Sequence, residues 1–192
     1  MEHAPPSRAA WPTFVRNLAT LSALGPFAAI AALALLAPGC EADVGVTGPS
    51  TANPLDDGES KLVEAINAHR AASGLSTLTL CASLNISASA HSDDMRDRDY
   101  QSDIGQDGST TMSRACKAGY KPGCDGGAMA EVIASGSDDP EHTLGQWTAD
   151  ATAGPILQNP TLTILGVGRT FRDEQPSVWT VDFGAAADSS CQ

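Results

Sequence analysis

The sequence predicts an α+β fold in which helices pack on a mostly antiparallel sheet. Three features predict it. Between residues 59 and 119, apolar side chains recur at helical spacing in three segments. From Ala128 the period changes to two. A fourth helical segment is then followed by two alternating strands joined as a hairpin.

The first helix opens near Glu59, with Ser60 placed to cap it. Leu62, Val63, Ile66 and the stems of His69 and Arg70 share one face, and Gly74 ends the helix. The second helix runs from about Ala82 to Arg98. Leu84, Ala88, His91 and Met95 form a single stripe on it, and Asp93, Asp94, Arg96 and Asp97 lie off that stripe. A short third helix spans Thr110 to Ala118, closed by Gly119. Ala128 to Ser135 reads as a strand. Met129, Glu131 and Ile133 point one way, and Ala130, Val132 and Ala134 the other. Asp138-Asp139-Pro140-Glu141 opens the fourth helix, because acidic residues suit the N-terminal dipole and proline suits the first turn. It ends near Asp150. Thr163 to Phe171 and Ser177 to Gly184 are the hairpin strands, and residues 172–177, with Pro176, form its loop.

Residues 1–40 read as an export signal. Arg8 and Arg16 precede an uncharged run, Leu18 to Ala37, which Gly25-Pro26 interrupts and which ends at Pro38-Gly39-Cys40. A cysteine directly after small residues resembles a bacterial lipobox, in which the thiol is acylated and the chain is cut before it. Cys40 is therefore the expected lipidation site and membrane anchor. A plain cleaved signal and a retained anchor helix are the rival readings. Residues 41–58, rich in Gly, Pro and Ser, form a flexible linker that would hold a domain of residues 59–192 about 20–25 Å from the membrane.

Lys and Arg total 11 against 23 Asp and Glu, a net charge of -12. That balance excludes nucleic acid as a partner and disfavours a domain lying flat on anionic lipid. Five cysteines are an odd number for an exported protein. Setting Cys40 aside leaves Cys81, Cys116, Cys124 and Cys191, which allow three pairings. Local loop closure around Gly119, Pro122 and Gly123 favours Cys116 with Cys124, hence Cys81 with Cys191. A four-thiolate zinc site lacks any C-x-x-C pair.

The chemistry narrows to one residue. His69, His91 and His142 show no metal-ligand spacing, and His91 reads as a satisfied core histidine. Asp103 to Gly108 partly matches a calcium loop, but Arg114 stands where the bidentate glutamate is required, so it reads as a polar turn. No G-x-S-x-G nucleophile motif occurs. Glu131, between Met129 and Ile133 on one strand face, is the sharpest site. Burial there favours the neutral acid unless a cation or donor compensates. It is the sole catalytic candidate, as an acid or base. Its structural alternative is to accept from backbone N–H groups of neighbouring loops.

These segments together resemble a known family. Val63-Glu64-Ala65-Ile66-Asn67-Ala68-His69-Arg70 with Gly74-Leu75 and Leu78, then Ala90-His91 and Met95, are similar to the opening helices of bacterial CAP-superfamily (SCP-like) domains. Asp107-Gly108, Arg114 and Gly119-Tyr120, then Glu131, Trp147, Asn159-Pro160, Gly166-Val167-Gly168 and Trp179-Thr180-Val181-Asp182-Phe183-Gly184, follow in the family's order. The resemblance spans residues 60–184. It implies a three-layer αβα sandwich with a central cleft, lined here by Glu131, Trp147 and Asp103. Family clefts often carry two histidines and one or two glutamates that can hold a divalent metal. Here Asp103 stands at the first histidine position and Ala153-Gly154 at the second, so no metal or cofactor is expected. The function expected is a non-catalytic binding module for a small apolar ligand, a lipid or an envelope partner. The alternatives are an envelope hydrolase using Glu131, and a tethered structural domain without a cleft ligand.

Overall fold

The computed structural model describes residues 54–172 and 175–192. The expected export signal with Cys40, and residues 41–53 of the expected linker, lie outside them. The elements in order are α1 (Asp57–Ala72), β1 (Thr79–Leu80), α2 (Ala82–Asp97), α3 (Thr111–Lys117), α4 (Lys121–Cys124), β2 (Met129–Ser135), α5 (Pro140–Ala149), α6 (Ala153–Leu157), β3 (Ile164–Arg172) and β4 (Gln175–Gly184). The four strands form one sheet in the order β1-β3-β4-β2. β3 pairs antiparallel with β4, and β4 with β2, whereas β1 runs parallel to β3. The sheet is therefore mixed, though mostly antiparallel. Helices α1, α5 and α6 lie on one face, and α2 and α3 on the other.

Helix α1 opens earlier than the sequence suggested. Asp56, not Ser60, is its cap. The Asp56 side chain accepts from the Glu59 N–H, and the Glu59 carboxylate accepts from the Asp56 N–H. Pro54 to Gly58 thus belong to the folded unit rather than to the linker. Arg70, expected to contribute only its stem, is buried and donates to the carbonyls of Ser76, Leu157, Asn159 and Leu162. The hairpin is also tighter than expected, because Pro176 sits in β4. A proline is tolerated near the start of a strand, where its missing N–H costs no interior ladder bond. β1, α4 and α6 were not anticipated; each spans five residues or fewer.

The two faces of the sheet are built differently. Leu62, Ile66, Val132, Trp147, Leu165, Val167, Trp179, Val181 and Phe183 form one contiguous buried core on the α1–α5–α6 side. On the α2 side the helix backbone comes very close to the sheet. A Cβ on Gly168 would fall 2.1 Å from Ser89 N, and one on Gly166 would fall 2.2 Å from Leu84 C. Only glycine permits that approach. A smaller apolar cluster of Cys81, Leu84, Ala115, Tyr120 and Ile164 closes the end of this layer. Disulfides join Cys81 to Cys191 and Cys116 to Cys124. Among the described residues, no helix is long and apolar enough to cross a membrane.

Candidate functional site

β2 is an edge strand, and its alternation places Met129, Glu131 and Ile133 on the α2 face. Glu131 sits opposite Asp182 of β4. Helix α3 supplies the neighbouring cation. Thr110 and Ser113 form a capping box that fixes the start of this short helix, and Arg114 lies one position further on. Arg114 Nη2 is 2.9 and 2.7 Å from the two Glu131 oxygens. Arg114 also donates to the carbonyls of Ser109 and Asp103, both at 3.0 Å. The Glu131 side chain is 2 % exposed and that of Arg114 11 % exposed, so this ion pair is shielded from water.

Helix α2 adds His91. Its Nε2 donates to the Ser102 carbonyl at 3.0 Å and lies 3.7 Å from Glu131 Oε1. Burial pushes the His91 pKa down, with the Glu131 charge pulling in the opposite direction. The ring packs edge-on against Tyr100. The Tyr100 hydroxyl donates to Asp94, and burial followed by that bond pushes its pKa up to about 12. Asp182 is fully buried, and neither of its oxygens has a hydrogen-bond partner of good geometry. Burial first, and then the Glu131 charge, holds its pKa well above the ordinary carboxylate value. Arg114 pairs with Glu131 alone, and the neighbouring Asp182 carboxyl has no cation of its own.

A cleft of about 430 Å³ opens beside this cluster, along β2. All three residues expected there, Asp103, Glu131 and Trp147, line it. Trp147 is mainly a core residue. It is buried, and its Nε1 donates to the Ile133 carbonyl at 2.8 Å. Asp103 is raised in pKa by burial and by the Glu131 charge. Asp150 is lowered in pKa by the backbone N–H groups of Ala153 and Thr152, which its side chain accepts. A second cavity of about 460 Å³ lies on the far side, under Ser87, His91, Arg114 and Lys117.

Two expectations need correction. Glu131 is held by a side-chain cation and not by loop N–H groups. His91 is buried, but it is not fully satisfied, because its Nδ1 has no partner. The turn at residues 103–109 is held by Asp107, whose side chain accepts from the Ser109 N–H. Asp182 was not singled out. The available signal was a polar Thr180 and Asp182 at period two inside an otherwise apolar strand.

The sequence profile of the cysteine-rich secretory protein (CAP) family matches residues 63–183. The chain belongs to that family. It is 33% identical over 128 residues to the uncharacterized protein YkwD of Bacillus subtilis, which covers 65% of this chain and 46% of that relative. The chain thus spans less than half of that relative's length. The fold is similar to an outer surface protein of Borrelia burgdorferi, with a TM-score of 0.62 and 18% identity, covering 71% of this chain and 99% of that one. It is also similar to an extracellular SCP-domain protein of Bacillus anthracis, with a TM-score of 0.58 and 24% identity, over 70% of this chain and 45% of that one. Asp103 and Ala153, which the resemblance set at the family's histidine positions, both line the cleft. The residues present do not fit a divalent metal. Both Glu131 oxygens are taken by Arg114, Ala153 offers no donor, and no group of three potential ligands converges among the described residues.

Proposed function

We propose that this CAP domain is an exported binding module, tethered to the cell envelope through acylated Cys40, and that the cleft along β2 holds its ligand. One observation carries the reading. Asp103, Glu131 and Trp147 converge on one cavity, while both oxygens of Glu131 are committed to Arg114. An acid or base must reach the proton it transfers, and the Glu131 side chain is 2 % exposed behind this contact. A carboxylate fixed on a buried guanidinium is a structural charge instead. Two disulfides suit an oxidising compartment outside the cytoplasm.

The lining also bears on the ligand. Asp103, Glu131 and Asp150 with Gln101 and Gln146 face the cavity, and no Lys or Arg is among the lining residues. That favours a polar envelope partner over an apolar small molecule or an anionic lipid.

The hydrolase reading rests on His91, 3.7 Å from Glu131. One experiment separates the two. The full-length protein is expressed in bacterial membranes, purified gently and examined by native mass spectrometry after exposure to an envelope extract. The expected result is a bound mass that is unchanged by incubation and lost in Gln146→Trp, which plugs the cleft from an exposed position. Conversion of the bound species, abolished by His91→Ala, would instead establish the hydrolase. Acylation is checked in the same preparation, with a lipid mass that disappears in Cys40→Ser.

A further inference from the structure

We propose that the open edge of β2 is the recognition surface of this cleft. We infer that its partner is an extended basic polypeptide segment, which pairs with β2 as a fifth strand. The inference rests on the binding-module reading and specifies its ligand.

The backbone supplies the first argument. Among the described residues β2 pairs only with β4, in unbroken register from Met129 to Ser135. Ala185 N donates to Ala128 O, and Gly136 N donates to Ser177 O. Even-numbered residues therefore turn their backbone groups toward β4. In an antiparallel ladder the alternate residues then turn both of theirs outward. Trp147 shows this directly, because its Nε1 donates to the outward carbonyl of Ile133 and so takes that one acceptor out of the edge, leaving the outward N–H groups. The N–H groups of Glu131, Ile133 and Ser135 have no hydrogen-bond partner among the described residues. Between Glu131 and Ser135 they offer about 13 Å of template.

The second argument is what the edge lacks. Exposed edges are ordinarily blunted by lysine, proline, a bulge or a covering segment. β2 contains no Lys or Pro, and its register has no bulge. Instead the edge opens into the cleft, and Glu131 to Ser135 line it in succession. Strand addition is an established mode of peptide recognition, in which the main chain gives affinity and the alternating pockets give specificity.

The third argument is side-chain complementarity. A guest strand would alternate its side chains between the two sides of the sheet. On the α2 side they would meet the exposed Asp103, since Glu131 is held by Arg114. On the other side they would meet Gln146 and Asp150 beside Ile156. An exposed carboxylate on each side, with no Lys or Arg in the lining, fits a guest strand rich in basic residues.

The test uses the isotope-labelled full-length protein in detergent and a blocked Lys-Val-Lys-Val-Lys peptide. Two further peptides carry backbone N-methyl groups on alternate residues, one in each phase. The expected result is saturable binding with amide shifts centred on Glu131, Ile133 and Ser135. One N-methyl phase should weaken binding about tenfold, from the loss of two or so hydrogen bonds, and the other should not. Ser135→Pro removes an outward N–H without touching the β4 ladder, and should weaken binding while the β4 amide shifts stay in place. Equal binding by both N-methylated peptides, or by a Glu-Val-Glu-Val-Glu peptide, overturns the inference. If the peptide fails but an envelope component still occupies the cleft, the strand-addition inference falls and the module reading stands. If neither binds, both fall.

Discussion

The two faces of this sheet are held by different physics. The α1–α5–α6 side is a dry apolar layer built around Trp179, Phe183 and Leu165. The α2–α3 side is a polar layer in which Glu131, Asp182, Thr180 and Thr170 face Asn85, Ser87, His91 and Ser92. There Ser92 donates to Gly168 and Thr180, and Asn85 accepts from the Val167 N–H. Burying apolar surface stabilises without regard to direction. A buried polar layer must be satisfied group by group, and it gains little net free energy for doing so. Both disulfides fall on this polar side, at the start of α2 and across α3–α4. Where the core is thin, covalent links replace it.

The largest expected effect tests that last statement. Cys81→Ser with Cys191→Ser opens a loop of 110 residues and should cost about 4–5 kcal/mol by chain entropy. Removing the eight-residue link between Cys116 and Cys124 should cost about 2.5 kcal/mol. Chemical denaturation gives both values, and hydrogen exchange should show α2 and α3 losing protection before α1 and α5. Equal loss on both sides would dissolve the distinction.

Arg114→Met comes next. It leaves Glu131 buried without its cation, at a cost of about 3–5 kcal/mol. The double variant Arg114→Met, Glu131→Gln should regain a measurable part of that loss, because the stranded charge goes with the second change. On the apolar side no second substitution rescues the first. Leu165→Ala should cost about 3 kcal/mol through the cavity it leaves.

The smallest effect has the opposite sign. Asp182 has a raised pKa in the folded protein, so the native state keeps a proton that the unfolded chain releases. Stability from this group is complete below about pH 4, the unfolded value, and is lost as pH rises toward the raised native value. Asp182→Asn should therefore leave the melting temperature nearly unchanged at pH 4. At pH 7 it should raise it by about 3 °C, which corresponds to about 1 kcal/mol in a domain of this size. A lowered melting temperature at pH 7 would show that the ionised form is the one the fold needs.

Legibility in the sequence followed the same division. The apolar layer announced itself, because its residues repeat at the period of their own helix or strand, as in Leu62 and Ile66 or Trp179, Val181 and Phe183. The alternation of β2 put Glu131 on the correct face. The polar layer was harder to read, because its partners are distant in the chain. Arg114 lies 17 residues from Glu131, and Asp182 lies 51 residues beyond it, so no local period connects them. Asp103 and Trp147 were found through resemblance rather than periodicity. β1 was missed because two residues cannot display a period.

The C-terminal tail settles how this sheet can meet other chains. Gln192 N donates to Leu80 O, Ala82 N donates to Ser190 O, and Cys191 bridges Cys81. The last residues therefore run along β1 and are locked there by a covalent bond. A sheet with two bare margins can stack copy upon copy into a fibre. Here residues 190–192 occupy the backbone groups of Leu80 and Ala82, so an added strand finds its template at β2 and not beside β1. Reduction of Cys81–Cys191 would release residues 190–192 and expose the β1 backbone that they cover.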